Sequence, residues 1–78
     1  MNSEHRAALL KVKQDLIDIA FKSEPTAVLD IFALAALHLD VDTITYIIDN
    51  YGSKFPNRLD EMHEILYALQ VAKDMDPT

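Results

Sequence analysis

The sequence predicts an all-α protein: a compact bundle of four short helices, over about residues 3–22, 24–39, 41–51 and 57–75, completed by dimerisation. Three observations carry this reading. The single glycine and the three prolines all fall where helices start or stop. Apolar residues recur at three- and four-residue steps, the spacing of one helix face. Half of the 78 residues are hydrophobic. A chain this short hides only about 60% of the surface its unfolded form exposes, so the apolar supply exceeds one small core.

Helix 1 starts near Asn2 or Ser3, either of which can accept from the free N–H groups of a first turn. Leu9, Val12, Leu16 and Ala20 form one stripe, and Leu10, Ile17 and Phe21 form a second about 100° away. Lys11, Asp15, Asp18 and Lys22 make the wet face. Ser23 is placed to cap helix 2, with Pro25 in the first turn, where a missing N–H costs nothing. Between Ala27 and Leu39 only Asp30 and His38 are polar. A helix apolar nearly all round is expected to be central, covered on several sides.

Asp40 caps helix 3, in which Ile44, Ile47, Ile48 and Tyr51 keep helical spacing. The β-branched run from Val41 to Ile48 also suits a strand, but no second strand-like segment exists to pair with it. Gly52 is expected in the left-handed position just past the helix. Asn57 caps helix 4, with Asp60 and Glu61 in its dipole-favoured first turn. Leu59, Met62, Leu66, Leu69 and Ala72 are expected to face the core, flanked by Ile65. The tail over residues 76–78 is expected to fray.

The net charge is −6 and unevenly spread. Residues 1–22 sum to +1, whereas residues 23–53 carry five acids and no Lys or Arg. An acidic middle repels phosphate and anionic lipid, which disfavours nucleic acid and membrane surfaces as partners. The absence of cysteine removes disulfides and thiolate chemistry and fits a reducing compartment. The first thirteen residues are broken by charges and lack the apolar core of an export signal. The greasiest run, Ala27 to Leu39, is short of the roughly 18 residues that cross a bilayer. The expectation is a cytoplasmic protein.

Leu39-Asp40-x-x-Thr43-Ile44-Thr45-x-Ile47 resembles the turn and second helix of a helix-turn-helix. The resemblance covers nine residues and implies a transcription regulator whose groove-facing positions are Asp40, Val41, Asp42, Thr43, Thr45 and Tyr46. It departs where that motif wants a small residue and a glycine, since Leu34 and His38 stand there. Helices that read DNA lay Arg, Lys, Asn or Gln on bases and phosphates, and two aspartates oppose that.

No metal, cofactor or catalytic residue is assigned. His63 neighbours Asp60 and Glu64, but no second histidine lies within one turn and no HExxH occurs. One glycine cannot build a phosphate loop, and the acidic pairs are explained as helix N-terminal charge. The main expectation is a regulator or inhibitor that binds and occludes another protein. Its homodimer seam would be Leu10, Ile17 and Phe21, and its partner-binding face His63, Tyr67 and Val71 rimmed by Asp60 and Glu64. A further alternative is an acidic inhibitor of a nucleic-acid-binding enzyme, acting through Asp40, Asp42 and Asp49.

Overall fold

The computed structural model describes residues 3–75; the expected Asn2 cap and the expected fraying at 76–78 lie outside them. Four helices follow one another: α1 (Ser3–Ser23), α2 (Ala27–Leu37), α3 (Val41–Tyr51) and α4 (Leu59–Met75), with a 3-10 turn at Gly52–Lys54. Among the described residues there is no strand, so the β-branched segment around Ile44 is helical, as its unpaired position in the sequence required.

The α3 helix is the centre. Thr43, Ile44, Ile47 and Ile48 are all buried on it, and it packs against α1, α2 and α4. Ile17 from α1, Val28, Phe32 and Ala35 from α2, and Met62 from α4 close the core around it. This corrects the expectation that α2 would be central. Leu34 and Leu37 of α2 face solvent, so its second face has no neighbour. Thr43, the buried polar residue of α3, is satisfied there: its hydroxyl donates to Asp40 at 2.7 Å.

The helix boundaries have local causes. α1 runs one residue further than expected, so Ser23 ends it and does not cap α2. Glu24–Thr26 form the turn, with the Ala27 N–H donating to the Glu24 carbonyl at 2.8 Å. α2 ends in a Schellman closure: the Asp40 N–H donates to Ala35 O at 2.9 Å and the Leu39 N–H to Ala36 O at 3.1 Å. That closure needs a left-handed residue, and Leu39 takes it at φ 56°. Gly52, expected in that conformation at the end of α3, instead has φ −55° and leads into the 3-10 turn. Its lack of a side chain serves packing, since a Cβ would stand 2.8 Å from Leu59 Cδ1. At α4 the first helical bond runs from the Met62 N–H to Arg58 O, so Arg58, not Asn57, occupies the cap position.

The four helices form a compact globule. Its extents are 37 × 28 × 17 Å, and its radius of gyration is 12.8 Å. The accessible surface is 5638 Å²; a monomer of this mass ordinarily exposes about 4,800 Å².

Candidate functional site

The rotation of α1 about its own axis decides which surface is left free. Ile17 is 1% exposed and sits in the core. Phe21 packs on it, with its ring 4.6 Å from Tyr51 and 6.3 Å from Phe55, and Leu10 is half-buried. The seam expected to pair two copies is therefore largely occupied within one chain, and Ile17 is unavailable to a partner. Of the other stripe, Leu9, Val12 and Leu16 turn outward at 44 to 59% exposed while Ala20 is half-buried, and Ile19, which belonged to neither stripe, is exposed beside them at 60%.

A polar lock sets this rotation. Asp18, expected on the wet face, accepts from Tyr46 Oη at 2.8 Å and from Tyr51 Oη at 2.5 Å, both on α3. The Tyr51 and Tyr46 hydroxyls hold the Asp18 carboxyl below its usual range by stabilising its charged form. The reciprocal effect pushes both tyrosines up to about 12, through desolvation and then the Asp18 bond at Tyr46, and through the Asp18 bond first at Tyr51.

A second lock ties α1 to the start of α3. Lys13 Nζ donates to Asp40 Oδ2 at 2.7 Å, and Asp40 Oδ1 accepts from the Thr43 N–H at 3.3 Å as the helix cap. Burial opposes the charge on Asp40, but the bonds from Lys13 and Thr43 prevail and hold its carboxyl low. Arg6 lies 3.8 Å from Asp42 at the same end.

Between α1 and α2 runs an open groove of about 320 Å³. Ile17, Ile31 and Ala35 floor it, Leu16 and Leu34 form its walls, and His38, Lys13 and Asp40 close one end. Its charged pair, Lys13 and Asp40, is mutually satisfied at 2.7 Å. Among the described residues no group of three His, Asp or Glu side chains is close enough to hold a metal. No described helix is long and apolar enough to cross a membrane.

The expected partner face on α4 lies together on one exposed side. Asp60, His63, Glu64, Tyr67 and Val71 are all exposed, Tyr67 at 70%. Met75, which sequence reasoning left out, continues the line of His63, Tyr67 and Val71 at four-residue steps and is itself exposed. Ala72, expected inside, is exposed, whereas Leu59, Leu66 and Leu69 pack on the core.

The α3 positions that would read DNA are mostly engaged. Thr43 is buried, Tyr46 is tied to Asp18, and Asp40 is held by Lys13. Leu39, not His38, takes the left-handed turn position. Comparison of the chain with family models, with curated proteins and with solved structures finds no match.

Proposed function

We propose that the chain is a non-catalytic protein-interaction module of the cytoplasm, a small regulator that assembles as a homodimer and occludes a surface of another protein. The observation that carries the second half is the α4 stripe. Tyr67, Val71 and Met75 stand in the open along about two turns of helix, rimmed by Asp60, Glu64 and Asp74. An exposed tyrosine beside aliphatic Val71 and Met75 is a low-entropy anchor, and an acidic rim selects a pocket edged with Lys or Arg. The partner is accordingly a protein with an apolar cleft in a basic frame.

Two other readings have less to stand on. A DNA reader would need a free face on α3, where the exposed side chains are Asp42, Asp49 and Asn50. An acidic mimic would need free carboxylates, yet Asp40 pairs with Lys13 and Asp42 with Arg6.

The test is capture from host extract, with bound protein and nucleic acid both quantified, using three forms of the chain. The wild type and an Asp42→Asn/Asp49→Asn form should retain the same protein. Tyr67→Ala/Val71→Ala should lose it while keeping its helical content. Retention of duplex that fades as salt rises, or a partner that survives loss of Tyr67, would overturn the proposal.

A further inference from the structure

The outward stripe of α1 has a spacing of its own. Leu9, Val12, Leu16 and Ile19 are separated by three, four and three residues. That is the a-d-a-d order of a heptad seam, in which knobs of one helix enter holes of another. Ala8 and Ala20, in the positions beside the seam, are small enough to let a second backbone approach. Lys11 and Asp15 are already paired at 2.6 Å, so neither brings an unbalanced charge to the seam.

The stripe is continuous with α2. Leu16 and Leu34 are opposite walls of one groove, and Leu37 follows Leu34 by three residues on the same helix. From their fractional exposures, these six side chains show roughly 600–700 Å² to solvent, above the 300–600 Å² patch of an ordinary monomer and near the ~800 Å² each partner buries in a standard interface.

Charge selects the occupant. The chain carries −6 overall, yet α1 holds Arg6, Lys11, Lys13 and Lys22 against Glu4, Asp15 and Asp18, a balance of +1. Two α1 helices of nearly balanced charge therefore meet with little net repulsion, and a seam of this spacing is complementary to itself. We infer that the α1–α2 face is covered by a second copy of this chain, α1 stripe against α1 stripe, with the neighbouring groove closed by the contact. It gives the proposed homodimer a different seam from the one read in the sequence. It is independent of the α4 stripe, which stays on the outside of the pair.

Light scattering and sedimentation across micromolar to millimolar concentrations test it. The wild type should approach twice the 8.8 kDa chain mass as concentration rises. Leu16→Glu and Val12→Lys, both at exposed positions, should stay at the single-chain mass with unchanged helical circular dichroism. Tyr67→Glu should dimerise like the wild type. Dilution of the isotope-labelled wild type gives a readout that needs no variant, and the amide shifts should move along α1 and α2 and not along α4. A wild type of single-chain mass at millimolar concentration overturns the inference. So does a dimer that survives both charged substitutions, or dilution shifts confined to α4. If Tyr67→Ala loses its partner while the mass stays single, the α4 reading stands and this one fails.

Discussion

Leu16 and Ile17 are adjacent in the chain and opposite in the structure, and alanine at each separates the two. Ile17 is 1% exposed at the contact of α1 with the core, so Ile17→Ala opens a cavity among residues that cannot all collapse into it. Such truncations cost about 2–5 kcal/mol. Leu16 is 59% exposed. Full burial of a leucine contributes about 1.5–3 kcal/mol, and the two-fifths that is covered makes Leu16→Ala cost about 1 kcal/mol. A chain of this length has about 4–12 kcal/mol in total, so the first change removes a large share and the second a small one. The assay is urea unfolding followed by circular dichroism, run at a few micromolar so that self-association contributes little. Run again at several hundred micromolar, Leu16→Ala should lose additional stability, because the wild type then gains from pairing and the variant does not. Equal costs for the two substitutions at low concentration would refute the orientation of α1. A larger cost for Leu16 would place the other stripe in the core.

The Asp18 lock can be removed by Asp18→Ala, which leaves two tyrosine hydroxyls without their acceptor and should cost about 1–3 kcal/mol in urea midpoint experiments. The same lock sets a pH window. Asp18 and Asp40 have lowered carboxyls, so their stabilisation is present above the unfolded value of 3.8 and is lost as pH falls below it; Tyr46 and Tyr51 are raised from 10.0 to about 12, so theirs is present below 10 and is lost between 10 and 12. Tyr46→Phe/Tyr51→Phe should flatten the alkaline limb of a pH-dependent melting curve. Asp40→Ala removes the α3 cap and the Lys13 partner together, and a loss of about 1–2 kcal/mol is expected in the same unfolding assay. Leu39→Gly should raise the melting temperature, because a left-handed leucine costs about 1–2 kcal/mol that glycine avoids.

Of the short-range features, the α3 cap was legible in the sequence, whereas Ser23, Gly52 and Asn57 take other places than expected. Asp40 followed by an apolar pattern marked the start of α3, and the structure places the helix at Val41–Tyr51. The exposed set on α4 was visible from its spacing alone. The facing of α1 was not. Its apolar arc is wider than one interface, and both stripes are equally greasy, so periodicity could not decide between them. The group the sequence misplaced is Asp18, which turns toward α3, where Tyr46 and Tyr51, 28 and 33 residues away, supply its donors. A side chain that reads as solvated in isolation is satisfied by partners that only the tertiary fold brings near. The same reasoning explains α2 and α3. Hydrophobicity suggested α2 as the centre; both α2 and α3 touch the other three helices, but α3 buries four residues where α2 buries three and leaves Leu34 and Leu37 in solvent. The unused signal was Ile19, which extends Leu9, Val12 and Leu16 at three-four-three spacing into one continuous apolar stripe.

The chain has no cysteine, so single thiols report on single positions without interference. The most direct measurement is the rate of thiol alkylation of Leu16→Cys and Ile17→Cys over a range of protein concentrations. Leu16→Cys should react rapidly at micromolar concentration and slow progressively toward millimolar, while Ile17→Cys stays slow throughout. A Leu16→Cys rate that does not change with concentration, or one as slow as that of Ile17→Cys at every dilution, would contradict an outward stripe that a second copy covers.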